Sequence, residues 1–79
     1  MSDYRLTYSV EPDDACAANA GVPWSMEWRK TRRGAAALAQ RLADRDGCDY
    51  VVTTWKASNT VLMDARRVGV PLVVCRRTA

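Results

Sequence analysis

Histidine is absent from all 79 residues. Ser-His and Cys-His nucleophile pairs, HExxH zinc sites and histidine pH switches are therefore excluded at once. The three cysteines, Cys16, Cys48 and Cys75, are widely separated and form no CxxC pair. An odd number of thiols fits reduced cytosolic cysteines better than a secreted disulfide framework. Cys16 and Cys48 have no obvious base beside them, and Cys75 reads as a small buried hydrophobe. The nine carboxylates form no acidic metal cluster, and Asp13-Asp14 read as helix N-terminal charges. Neither GxGxxG nor GxxxxGK(S/T) occurs. The expectation is a protein that is not an enzyme, with no cofactor and no metal.

What remains is recognition chemistry, carried by twelve Lys and Arg and three Trp. Seven of the twelve fall just after candidate strands: Arg29, Lys30, Arg32, Arg33, Lys56, Arg76 and Arg77. If those strands are parallel, the loops that follow them share one edge of the sheet, and the net charge of +3 conceals a basic edge. Trp55 adjoins Lys56 and the polar run Ser58-Asn59-Thr60, a stacking or anion-binding surface beside phosphate donors. Such an edge suits phosphate, nucleic acid or an acidic protein surface. A merely solvated surface is the bland alternative, and Glu11, Asp13 and Asp14 on the same edge would partly neutralise it. Trp24 and Trp28 read as core, because a chain without Phe or Ile needs large side chains inside. An exposed Trp patch for a partner is the sharper reading.

The elements that position these residues follow from periodicity. Tyr4, Leu6, Tyr8 and Val10 alternate with Arg5, Thr7 and Ser9, as in a strand with one buried face. Pro12, Asp13 and Asp14 open a short helix that stops at Gly21, and Pro23 begins an extended stretch. The span from about Arg32 to Asp46 is the clearest helix, with a stripe of Ala35, Leu38, Ala39 and Leu42, closed by Gly47. Tyr50 to Trp55 is β-branched and aromatic and reads as an interior strand. Ser58 to Val68 reads as a third helix, and Pro71 to Cys75 as a last strand. Gly-Val-Pro occurs at residues 21–23 and again at 69–71, each time as a helix stop before a strand. The fold expected is a single α/β domain over residues 1–79. It has a small four-stranded, mainly parallel sheet in β-α-β-α-β-α-β order with three helices. The competing fold is α+β, with an antiparallel sheet and one main helix, Ser58 to Val68 becoming a hairpin.

The stretch CDYVVTTWKASNTVLMDARRVGVPLVVCR, Cys48 to Arg76, resembles the last β-α-β unit of SLOG-type, Rossmann-like nucleotide-binding proteins. In that family the turn after the strand binds phosphate through a Gly-rich segment and a following Thr. Thr60 matches, whereas Ser58 and Asn59 replace the glycines. The chain is also similar in type, though in no motif, to small phage-encoded inhibitors such as anti-CRISPR proteins.

The function expected is a small non-enzymatic binding protein, an anti-CRISPR-like inhibitor. It would block a nucleic-acid-handling host complex through its basic surface. The alternative is a nucleotide- or nucleic-acid-binding module using the same edge as a phosphate site. A homodimer would cover exposed sheet edges. MSDYRLTYSV lacks the basic and apolar regions of a signal peptide, so the expected location is cytoplasmic. The Arg-over-Lys, Ala-rich, Ile-free usage is that of a high-GC genome of bacterial or phage type.

Overall fold

The chain runs β1 (Tyr4–Pro12), α1 (Asp14–Ala20), β2 (Glu27–Arg29), α2 (Arg32–Asp46), β3 (Tyr50–Ser58), β4 (Arg66–Arg67) and β5 (Leu72–Val74). The computed structural model describes residues 4–58 and 66–77. Its long central ladder pairs β1 with β3 antiparallel, from Tyr4 opposite Ser58 to Pro12 opposite Tyr50. On the far side of β1 lies β2, with Tyr8 opposite Arg29 and Val10 opposite Glu27. The outer edge of β3 carries β4 near Trp55 and β5 near Tyr50. No helix among the described residues is long and apolar enough to cross a membrane.

The parallel four-stranded sheet with three helices is therefore corrected: among the described residues every strand pairing is antiparallel, and two helices are described. A parallel return needs a crossover that carries its helix across the sheet face. Of the helices, only α2 packs broadly on the sheet, against β1, β2, β3 and β5. The α+β alternative is the architecture observed. The expected helix from Ser58 to Val68 is overturned at both ends, since Ser58 belongs to β3, and Arg66 and Arg67 pair with Lys56 and Trp55. Residues 59–65, and with them the expected sites Asn59 and Thr60, lie outside the described residues.

The repeated Gly-Val-Pro marks two different backbone events. Gly21 caps α1 in the left-handed region, as expected. Gly69, also left-handed at φ +70, sits instead in a bulge between β4 and β5. Trp55 opposes Arg67, and Val52 opposes Leu72, so three steps along β3 match five along the edge strand. The Val68 N–H still donates to the Thr54 carbonyl at 2.9 Å, which leaves Gly69 and Val70 as the inserted residues.

The helix from Arg32 to Asp46 forms as its stripe requires. Thr31 caps it, accepting from the Gly34 N–H, and Gly47 ends it. Ala35, Ala39 and Ala43 are fully buried and face Val10, Tyr50 and Val52 in one core, with Leu38 beside them and Leu72 and Val74 at its margin. Small side chains on successive turns let the helix axis approach the sheet closely, and a close-packed contact tolerates little added volume. Ala39→Leu is expected to lower stability by about 1–3 kcal/mol, read from the urea unfolding midpoint.

The C-terminal end of α2 is tied to the sheet by Asp46. Its carboxylate accepts from the Tyr50 hydroxyl at 2.5 Å and from the Arg45 guanidinium at 2.8 and 3.0 Å. Hydrogen bonds from Arg45 and then Tyr50 hold the Asp46 carboxyl below the usual carboxylate range. Burial, followed by the Asp46 contact, pushes the Tyr50 phenol up to about 12. A depressed carboxylate contributes stability that is lost as pH falls below about 4, and a raised phenol contributes stability that is lost as pH rises above about 10. Thermal unfolding across pH should show both limbs. Tyr50→Phe should shrink the alkaline limb to the part left by the raised Cys48 thiol, and weaken the acid one.

Candidate functional site

The β1–β3 register sorts side chains onto two faces. Directly opposed residues of an antiparallel pair point the same way. Tyr8, Val10, Tyr50, Val52, Leu72 and Val74 therefore face α2. The other face presents Arg5, Thr7 and Ser9 from β1, Trp28 from β2, Val51, Thr53 and Trp55 from β3, Arg67 from β4 and Val73 from β5. Trp28 and Val73 on this face remain 41% and 55% exposed.

Across it runs a row of three planar groups. Trp28 stands opposite Ser9, and Trp55 stands opposite Thr7, with β1 between the two tryptophans. Strands two apart are separated by about 10 Å, yet the indole centroids are 6.1 Å apart, tilted at 51°. Both rings must lean over β1, which is possible because Thr7 and Ser9 are small. Ser9 is fully buried and accepts a 2.8 Å hydrogen bond from the Trp55 indole N–H. On the other side of Trp55, the Arg67 guanidinium lies 5.8 Å from the ring centroid, within cation–π range. The row is Trp28, Trp55, Arg67. Trp28 is thus not the core side chain expected, and Trp24 is 56% exposed in the loop before β2.

The antiparallel topology also redistributes the expected basic edge. The C-terminal ends of β2 and β3 lie beside the N-terminal end of β1, and α2 starts from the same end. Arg29, Lys30, Arg32, Arg33 and Lys56 therefore do gather, and Arg5, Arg66 and Arg67 join them. Arg76 and Arg77 do not, because β5 runs back toward Tyr50 and leaves them at the opposite end. Arg77 is bound there to Asp44, through its backbone N–H at 2.8 Å and its guanidinium at 2.8 and 3.1 Å. That contact holds the Asp44 carboxyl below its usual range. Glu11, Asp13, Asp14, Asp46 and Asp49 lie at the Arg77 end too. Glu27 is the described carboxylate nearest the basic cluster, paired with Arg29 at 3.7 Å. Arg5, Lys30, Arg32, Arg33 and Arg66 make no ion pair with any described carboxylate. Arg32 and Arg33 stand in the first turn of α2, against its dipole, which concentrates positive potential further.

A groove of about 280 Å³ opens beside Trp28, where β1 extends past the end of β2. Its lining is Arg5, Leu6, Thr7, Trp28, Arg29 and Lys30.

The cysteines are placed away from this row. Cys48 is buried, and burial, followed by Cys16, Asp49 and Asp13, pushes its thiol up to about 12. Cys75 is exposed instead of buried, because β5 ends at Val74, and its thiol is raised chiefly by Asp49. High thiol values oppose nucleophilic use. No group of three Cys, Asp or Glu that could hold a metal ion occurs among the described residues.

Of the expected site residues, Trp55 lies at the centre of the row, and Ser58 ends the strand that carries it. The sequence reading missed Arg5, Ser9, Arg66 and Arg67, and it put Trp28 in the core. The signal for the first two was present: Arg5, Thr7 and Ser9 alternate on one face of β1. Pairing that face with Trp55 required an antiparallel β1–β3 ladder. No family model, no curated protein and no solved structure matches this chain.

The row depends on the small residue beneath it. Ser9→Val should remove the acceptor from the Trp55 N–H and force the rings apart, lowering stability by about 1–3 kcal/mol. The exciton signal of the coupled indoles in near-ultraviolet circular dichroism should fall with it.

Proposed function

We propose that this protein binds single-stranded nucleic acid across the face of its sheet opposite α2. The observation that carries the reading is the Trp28–Trp55–Arg67 row, with Arg5 and Lys30 at the same end, neither in an ion pair with a described carboxylate. Single-strand binders combine aromatic stacking surfaces with a positively charged track for the backbone. An unpaired base has a free π-face for Trp28, whereas a duplex stacks its bases on one another and offers phosphate and groove edges instead. Arg5, Lys30 and Arg67 flank the indoles and supply the phosphate contacts. The acidic opposite end orients the approach, since it repels the strand that the basic end attracts. The cytoplasm is the compartment proposed, supported by the three free thiols.

Fluorescence anisotropy with a labelled 12-nucleotide single strand tests this. With about three phosphate contacts, affinity should fall about twentyfold between 50 and 200 mM salt. The triple variant Arg5→Ala, Lys30→Ala, Arg67→Ala should bind more weakly and flatten the salt dependence. A matched duplex should compete poorly. Failure of the strand to bind, together with recovery of a protein complex resistant to nuclease, would replace this reading with a protein-blocking role.

A further inference from the structure

We infer that the groove beside Trp28 is a subsite for one unpaired nucleotide, an inference that rests on the nucleic-acid reading above. Three features of the groove point to that occupant. Its volume of about 280 Å³ falls just under the ~300–1,000 Å³ range of pockets for drug-sized ligands, so it suits a single heteroaromatic ring with its sugar. Its lining combines different chemistries: Trp28, half-exposed Leu6, and the cations Arg5 and Lys30. A base needs the first two, and a phosphate needs the third.

The cations are unequal, and this fixes where the phosphate goes. Arg29 is already committed, with its guanidinium donating to the Trp28 carbonyl at 2.7 Å and pairing with Glu27 at 3.7 Å. Arg5 and Lys30 have no described carboxylate partner and are left to hold the phosphate. The Thr7 hydroxyl donates to the Arg29 carbonyl at 3.4 Å, which leaves its oxygen able to accept from a base edge. Trp28 both lines the groove and meets Trp55, so a ring stacked on it there continues the row. The groove is one end of the row, and a strand leaving it crosses toward Trp55 and Arg67.

An abasic scan distinguishes this subsite from general stacking. A single abasic residue is moved along a 9-nucleotide strand, and each version is titrated against the wild-type protein, Leu6→Ser and Trp28→Ala. Leu6 is 50% exposed and outside the core, so Leu6→Ser keeps the test valid if Trp28→Ala fails to fold. One position should lose roughly tenfold or more in affinity when made abasic. Both variants should erase that penalty, whereas Trp24→Ala, in the loop before β2, should retain it. Adenosine monophosphate should shift the Trp28 indole N–H resonance, but only at far higher concentration than the strand, if the occupant is part of a chain. Equal affinity of the monophosphate and the strand would assign the groove to a free nucleotide and overturn the strand subsite. A uniform abasic penalty, or one that survives both variants, would overturn the subsite while leaving strand binding intact. No binding of the intact strand would instead remove the reading on which the subsite rests.

Discussion

The ladder between β1 and β3 is the constraint on which the other features depend. Nine consecutive residue pairs oppose one another, and side chains alternate with a period of two. A slip by one residue would move Val10 and Val52 out of the core and bring Ser9 and Thr53 into it. The hydrophobic side of that register fixes where α2 docks, through Ala35, Ala39 and Ala43. The polar side fixes which groups share the face opposite α2. Stability and the candidate site are therefore two sides of one pairing, and neither can be re-registered without the other.

The same ladder explains how so small a chain keeps an exposed tryptophan, Trp28, and a half-buried one, Trp55, in place. Their rings are held over β1 by geometry that needs small residues beneath them and a hydroxyl to receive an indole N–H. Arg67 completes the row only because β4 pairs with β3 at Trp55. The two residues inserted at Gly69 and Val70 keep the alternation of faces, so Arg67 stays on the polar face while Leu72 and Val74 sit beside Val52 and Tyr50 at the core. A bulge re-aims side chains and increases local twist. Here it joins the segment that carries Arg67 to the segment that packs on the core.

Charge is segregated along the strands. Clustering cations at one end, including two against the dipole of α2, works against stability, and exposure to water keeps the cost small. At the other end, carboxylates fasten the chain: Asp46 to Tyr50 and Arg45, and Asp44 to Arg77. A molecule arranged for stability alone would interleave the two signs. Beside the indoles, Arg5 and Lys30 make no ion pair with a described carboxylate.

Local patterns in the sequence determined much of this architecture. The alternation in Tyr4 to Val10, the β-branched run after Asp49, the helix from Arg32 to Asp46 and its Gly47 stop all form where the residues place them, because propensity, capping and periodicity act over a few residues. The gathering of Arg29, Lys30, Arg32, Arg33 and Lys56 at one end was also legible. Strand direction was not. A helix stop followed by a strand reads the same before a parallel or an antiparallel return, and Gly-Val-Pro serves one site as a cap and the other as a bulge. Only the tertiary pairing decided that Arg5 and Arg67 belong with the tryptophans, that Arg76 and Arg77 do not, and that Trp28 faces outward. Those outcomes depend on partners many residues away, whose contacts no local pattern encodes. The absence of histidine closed off histidine-based chemistry at the outset, whereas only the fold put Arg5 and Arg67 on one face with Trp28 and Trp55.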